Sequence, residues 1–374
     1  MKNSDVKIAI LVPSLHGGGA EFVAKEWADW LVNSGYGVHV LVTTSPLAGV
    51  PPATDAPVTY LGGGSIVSRV RRLAEFIKEE RVDVLLALMP YWNLLALSTK
   101  ISARRTDCRV MISNRNLESV LALSLGYKFR FMNLLARRTY RFADAAIAIS
   151  HPVGAEMVAK YGVDPGRLWV VPNPASGKVV RGTSVTEGAH KERRGRESSR
   201  ALDLVVPARL VRQKRPELAV EAARLIADNS CGSLSVTVHF FGTGPLTSVV
   251  EKRAMELGVS IVMHGWVEDW YNKAPRDSVV LLVSVAEGFG NVLVEACAVG
   301  LVSVASSRAL GVADAIVPGV TGVLVSGDTA ADYARGVESA RGVPPISAEG
   351  WLERFSVQSS GRELEIAISS TLDR

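Results

Sequence analysis

The sequence predicts an α/β protein built from two doubly wound parallel-sheet units in tandem. Three observations carry this. Short apolar runs alternate with amphipathic stretches, the signature of strands and helices in turn. The 374 residues exceed one ordinary core, and domains of roughly 100–200 residues give two. A polar stretch between Gly177 and Arg200 separates two blocks of that alternation.

The first block opens with Lys7–Val12 (KIAILV), a buried strand, followed by Gly17-Gly18-Gly19. Ala20, Val23, Ala24, Trp27 and Leu31 then recur at helical spacing. Gly35 and Gly37 end that helix, and Val38–Val42 is the next strand. Further strands are expected at Val82–Leu88, Arg109–Ser113, Ala145–Ile149 and Trp169–Val171, with a helix at Ser65–Glu80. Pro172-Asn173-Pro174 closes the block.

The segment 175–200 reads as a polar linker, because EGAHKERRGRESSR contains no apolar residue larger than Ala. It carries no interleaved aromatic residue, which argues against nucleic acid. The second block, 201–350, places strands at Leu204–Pro207, Ser235–Phe241, Ser260–Met263, Val279–Ser284 and Leu301–Ala305. Its helices fall at Pro216–Asp228, Leu246–Leu257 and Asn291–Val299. A last helical stretch occupies 351–374.

Composition excludes several classes. Hydrophobic residues make up 48% and charged residues 21%, which is globular. Three cysteines without a CxxC pair exclude a disulfide scaffold and a structural zinc site. They read as buried residues of a reduced compartment. No secretory signal pattern opens the chain. The most apolar stretch, Val84–Leu97, is broken by Pro90 and Asn93 and falls short of the ~20 residues of a span. The expectation is a soluble, cytoplasmic protein. The net charge of +5 is uneven. Between Lys100 and Arg141 stand ten basic residues and only Asp107 and Glu118. A local basic patch says more about partners than the overall balance does.

Three constellations carry chemistry. Gly17, Gly18 and Gly19 join a strand to a helix, where free amides favour an anion. No Gly-Lys-Ser/Thr follows, so this is no P-loop. The second strand ends at Thr43-Thr44 rather than at an acidic residue, and no GxGxxG is present, which disfavours a nicotinamide dinucleotide. Arg209 and Lys214 follow the strand Leu204–Pro207 and suit a diphosphate at the sheet's C-terminal edge. The third constellation is the sharpest. Glu287 lies in a strand-to-helix loop, and Glu295 lies about one turn into the helix that starts near Asn291. Between them the helix-start amides are unpaired. A carboxylate on each side of an amide nest can hold a phosphate and hydroxyls together.

At this point the chain resembles the retaining glycosyltransferases of family 4. The resemblance covers nearly the whole chain. It includes Gly17–Glu21, FADAAIAIS at Phe142–Ser150, VVPNP at Val170–Pro174 and ARL…K at Ala208–Lys214. It continues with FGTGP at Phe241–Pro245, HGWVED at His264–Asp269, EGFGNVLVEA at Glu287–Ala296 and GVTGVLV at Gly319–Val325. The Glu-x7-Glu spacing is the specific part.

The resemblance implies a GT-B fold, two Rossmann-like domains facing across a cleft, with the nucleotide-sugar donor on the C-terminal one. It implies that Glu295 holds ribose hydroxyls, that Glu287 contacts the donor sugar, and that Arg209 and Lys214 bind the diphosphate. Gly290, Asn291 and Val292 would offer backbone amides. The backbone at Trp266 and Val267 would meet the base. The loop Gly17–Gly19 would face the diphosphate, and the last helix would cross back to the N-terminal domain. Many relatives carry a His after the N-terminal domain's middle strand; here the loop reads Ser113-Asn114-Arg115-Asn116, which makes Arg115 and Asn116 candidates for sugar or acceptor.

No Asp-x-Asp occurs in the chain. The expectation is therefore metal-independent transfer with no cofactor, the leaving charge being met by Arg209, Lys214 and helix-start amides, and the resemblance implies retention. On family frequency alone, the resemblance favours a UDP-sugar as donor, with GDP-mannose second. The expected acceptor is a cell-surface glycan or a lipid-linked oligosaccharide. The stretch Leu125–Arg141 interleaves cations with Phe129, Phe131, Met132, Leu134 and Leu135, which reads either as contact with the inner membrane face or as a packed helix with a solvated basic face. Two other classes stay open here: a non-catalytic nucleotide-sugar-binding or membrane scaffold protein, and an NAD-dependent oxidoreductase.

Overall fold

The computed structural model describes residues 3–15, 18–44, 54–102, 107–124, 126–182, 200–343 and 348–374. The chain divides into two compact units. One comprises Met1–Pro174 with Ser356–Arg374, and the other Ala175–Phe355.

Among the described residues the first unit carries seven parallel strands: β1 (Lys7–Val12), β2 (Gly37–Val42), β3 (Val58–Tyr60), β4 (Val84–Leu88), β5 (Arg109–Asn114), β6 (Ala145–Ala148) and β7 (Leu168–Val170). Their order in the sheet is β3-β2-β1-β4-β5-β6-β7. β1 and β4 are apolar on both faces because helices cover both. The chain reverses its direction of travel across the sheet between β1 and β4. That is the switch point where open α/β sheets leave a crevice at the strand C-termini.

The tail completes this unit. The helix Val357–Leu372 packs on the helix Gly19–Asn33 and adds Leu364, Ala367 and Ile368 to the core around Trp27 and Leu31. Trp27 Nε1 donates to Ser360 Oγ at 2.9 Å, and Ser360 Oγ donates to the Pro172 carbonyl at 2.6 Å. One hydroxyl thus ties the tail to both ends of the unit.

Among the described residues the second unit carries six parallel strands: β8 (Ala201–Val206), β9 (Ser235–Phe241), β10 (Ser260–Gly265), β11 (Val279–Leu282), β12 (Val302–Ser306) and β13 (Gly322–Val325). The order is β10-β9-β8-β11-β12-β13, so the switch point lies between β8 and β11. Its core gathers Leu204, Val206, Val238, Phe240, Leu281 and Val304 with the helices Pro216–Asn229 and Ala330–Arg341.

Three sequence expectations need correction. The segment 175–200 is not linker from its start: Ala175–Gly182 is a helix that packs within the second unit, its Val179 buried beside Phe241 and Trp270. The remainder, 183–199, lies outside the described residues. The last stretch is two helices rather than one. Glu349–Glu353 belongs to the second unit, and only Ser356 onward belongs to the first. Finally, β3 and β13 have no counterpart among the expected strands. Each has only three or four residues and lies at a sheet edge, too short to show a period.

Candidate functional site

The second unit concentrates polar chemistry where β8 and β11 end side by side. Two loops leave these strands and are laced together. Val285 N–H donates to the Gln213 carbonyl at 2.9 Å, and Gln213 Nε2 donates to the Ala286 carbonyl at 2.8 Å. Arg215 Nε donates to the Val283 carbonyl at 2.8 Å. Arg215 holds a left-handed conformation, φ 42°, and Pro216 after it opens the next helix. Residue 214 is thereby fixed between two pinned neighbours. Lys214 Nζ forms an ion pair with Glu287 Oε1. Glu287 is 6% exposed, so its charge is compensated from inside the site and not by bulk water.

Arg209 behaves differently. It is exposed, and its guanidinium makes no hydrogen bond or ion pair among the described residues. Its backbone is nevertheless rigid. Leu210 N–H donates to the Thr243 carbonyl, and Leu246 N–H to the Leu210 carbonyl, each at 3.0 Å. Gly242 packs so close that a Cβ there would collide with the Ala208 carbonyl. The FGTGP glycines are therefore explained by backbone approach.

Glu295 lies in the helix Asn291–Ala298, which opens on Gly290 in the left-handed region at φ 95°. Asn291 and Val292 are the first two residues of that helix. Glu295 is 4% exposed. Its Oε2 accepts from Trp270 Nε1 at 2.6 Å, and its Oε1 stands 3.9 Å from Lys178 Nζ. Burial pushes its carboxyl pKa up, and Lys178 and then Trp270 pull it back. A reading of both glutamates as solvated surface residues is thus excluded.

Beyond β10, Trp266 is 58% exposed, whereas Val267 packs beside Phe241 and Trp270. The His264 ring stacks on Phe241 with centroids 4.1 Å apart and planes 1° apart. His264 Nε2 lies 3.1 Å from His239 Nδ1, and His239 Nε2 lies 3.0 Å from Asp203 Oδ1. Burial, then His239, hold the His264 pKa below its usual value. This chain of contacts fixes the end of β10 from beneath.

In the first unit, Gly18 caps the helix that Gly19 opens, with no side-chain bond. Gly17 lies outside the described residues. Arg115 is turned inward. It reaches Asn173 Oδ1 and Ser113 Oγ, and its guanidinium carbon lies 5.1 Å from the Trp27 ring centroid. Asn116 Oδ1 accepts from the Leu117 amide at 2.9 Å. These contacts all lie inside the unit.

Sequence reasoning missed Lys178, Trp270, Gln213 and Arg215. Lys178 lay in a stretch read as linker and carried no motif. Gln213 and Arg215 flank Lys214, but only the pairing of β8 with β11 reveals what they touch. Among the described residues no group of three or more His, Cys, Asp or Glu could hold a metal ion. No helix among them is long and apolar enough to cross a membrane.

Two doubly wound sheets with polar loops at the C-terminal edge of the second define a protein of the GT-B class, and solved structures agree on the fold. The lipopolysaccharide outer core galactosyltransferase WaaB in its apo form superposes with a TM-score of 0.74 at 19% identity, covering 98% of this chain and 99% of that one. Anabaena Alr3699/HepE in complex with UDP-glucose gives 0.74 at 18%, covering 97% and 99%.

Family models then fix the family. One described as "Glycosyl transferases group 1" matches residues 201–340, and one described as "Glycosyltransferase Family 4" matches residues 17–176. The chain belongs to the family 4, group 1 glycosyltransferases. Curated relatives include a D-inositol 3-phosphate glycosyltransferase of Geodermatophilus obscurus, 30% identical over 53% of this chain and 45% of its own length. Another is D-inositol 3-phosphate glycosyltransferase 2 of Catenulispora acidiphila, 30% identical over 54% and 49%. The chain spans about half the length of these relatives.

Proposed function

We propose that this chain transfers a hexose or N-acetylhexosamine from a nucleotide-sugar to a glycan or lipid-linked acceptor, with retention and without a metal ion. The observation that carries the reading is the edge between β8 and β11. There an exposed Arg209, the Lys214–Glu287 pair and the buried Glu295 surround the start of a helix. A diphosphate needs cations and hydrogen-bond donors; a sugar and a ribose need carboxylates that accept from hydroxyls.

UDP-sugar is the favoured donor and GDP-mannose the second. The UDP-glucose bound to the Anabaena neighbour supports the first choice. The departing diphosphate gains charge as the glycosidic bond breaks. Arg209, Lys214 and the amides of Gly290, Asn291 and Val292 would stabilise that charge through preorganised donors. The acceptor hydroxyl then attacks from the face the diphosphate leaves, and the departing phosphate oxygen takes its proton. Glu287 orients the donor sugar, and the backbone at Trp266 and Val267 meets the base. Gly17–Gly19, Arg115 and Asn116 are the first unit's candidates.

A membrane-facing acceptor is supported by the helix Tyr127–Thr139. Tyr127, Phe129, Phe131 and Leu134 are exposed, interleaved with Lys128, Arg130, Arg137 and Arg138, and only Ala136 is buried. Exposed aromatics among cations suit the headgroup region of an anionic bilayer.

The test is thermal stability against UDP, GDP, ADP, NAD and their sugar conjugates, followed by release of the nucleoside diphosphate with and without a chelator. A ligand at 100 times its Kd stabilises by about 2.7 kcal/mol, a readable shift. Stabilisation by one nucleotide class, followed by chelator-insensitive turnover, is the expected result. Binding without turnover of any acceptor would favour the scaffold reading, and stabilisation by NAD alone would revive the oxidoreductase.

A further inference from the structure

We infer that Lys178 and Trp270 are positioning residues for Glu295, holding its buried carboxylate oriented with one oxygen open for the hydroxyls of a bound nucleotide. This rests on the donor site proposed above.

The two oxygens of Glu295 are treated unequally. Oε2 accepts from Trp270 Nε1 at 2.6 Å, a short hydrogen bond from a group that can only donate. Oε1 faces Lys178 Nζ at 3.9 Å. That is ion-pair range but beyond a hydrogen bond, so the ammonium supplies charge without occupying a lone pair. Oε1 is the oxygen left to accept from a ligand.

The clasp is built from three helices. Lys178 comes from Ala175–Gly182, Trp270 from Trp270–Lys273 and Glu295 from Asn291–Ala298. Tyr271 Oη donates to the Lys178 carbonyl at 3.1 Å and so binds the first helix to the second. Tyr271 also faces Glu295, whose charge adds to burial in pushing the phenol pKa up. The helix Glu349–Glu353 packs on Asn291–Ala298 as well, but contributes nothing to the charge balance of Glu295.

Chemistry requires such a clasp. A carboxylate at 4% exposure loses most of its hydration and tends to take up a proton. Once protonated, it accepts less well from a hydroxyl. Lys178 and Trp270 oppose that uptake, in that order. The sign follows: removing either one raises the Glu295 pKa, and nucleotide binding that needs the carboxylate is lost at a higher pH.

Calorimetric titration of UDP, GDP and ADP from pH 5 to 8 tests this on wild type, Lys178→Met, Lys178→Arg, Trp270→Phe and Glu295→Gln. The nucleotide that binds wild type should lose affinity toward acid pH. In Lys178→Met and Trp270→Phe that acid limb should move to higher pH, by about one unit, which is a tenfold weaker affinity on the limb. Lys178→Arg should restore the wild-type profile. A Lys178→Met variant that fails to fold leaves Trp270→Phe to decide, since it keeps an aromatic side chain while removing the N–H donor along with part of the indole.

Binding that is lost in Glu295→Gln but keeps the wild-type pH profile in both Lys178→Met and Trp270→Phe would overturn the inference and leave the donor site standing. Failure of all three nucleotides to bind wild type would overturn the donor site, and the inference with it.

Discussion

Lys214 and Glu287, 73 residues apart in sequence, pair across the mouths of two neighbouring strands. Neither is well exposed, at 17% and 8% for the side chains. Removing one partner of such a pair leaves a buried charge uncompensated, which costs about 3–5 kcal/mol. Lys214→Met should therefore lower the melting temperature, and Lys214→Met with Glu287→Gln should recover most of it. Transfer should stay lost in both. A single variant as stable as wild type would show that the pair carries no structural weight.

Arg209 offers the opposite case. Its side chain has no partner among the described residues, so Arg209→Ala should change stability by no more than about 0.5 kcal/mol. Nucleoside diphosphate affinity should nevertheless fall by roughly 10–100-fold, because a hydrogen bond to a charged group is worth about 1.5–3 kcal/mol. Unaltered affinity by calorimetry would remove Arg209 from the site.

Glu118 predicts a pH dependence of stability. Burial, and then the neighbouring Glu156, raise its pKa to about 8. Glu156 itself accepts from the Glu118 amide at 2.8 Å and caps the helix Glu118–Ser124. A carboxyl raised in the fold above its unfolded value of about 4.3 favours folding while protonated. That contribution is lost as pH rises toward 8. Denaturant midpoints should fall between pH 5.5 and 8.5 in wild type. Glu118→Gln should flatten the decline and be the more stable protein at the alkaline end. Parallel curves would count against it.

Gly361 lies where the tail helix meets the helix Gly19–Asn33, and a Cβ there would meet the Trp30 ring well inside contact distance. Gly361→Val should cost about 1–3 kcal/mol through overpacking. Its thermal midpoint should fall. A neutral result would mean that the two helices separate easily.

The helix Tyr127–Thr139 predicts binding to anionic vesicles. Lys128, Arg137 and Arg138 changed together to Glu should weaken sedimentation with phosphatidylcholine–phosphatidylglycerol vesicles, each cation being worth roughly 1 kcal/mol. Phe131→Ser should weaken it too while leaving the salt dependence. Equal binding to pure phosphatidylcholine vesicles would argue against the electrostatic part.

Much was legible in the sequence because it is local. Apolar runs such as Lys7–Val12 and Val84–Leu88 show themselves as strands because both faces are buried. Glu287, Gly290 and Glu295 share one strand–loop–helix unit, so their spacing alone places them near each other. The same holds for Arg209 and Lys214 after β8. The alternation also set the number of units and their class.

The tertiary structure decided what depends on long separations. It made Ala175–Gly182 a helix of the second unit, and so brought Lys178 to Glu295, 117 positions further on. It paired Gln213 and Lys214 with the loop after β11, and turned Arg115 inward to Asn173. It also divided the last stretch between the two units at Phe355 and Ser356. The physical reason is common to all of these. Helical and strand periods record which face of an element is buried. The order of strands in a sheet, and the charges it sets side by side, follow from packing between segments that carry no mark of one another in sequence.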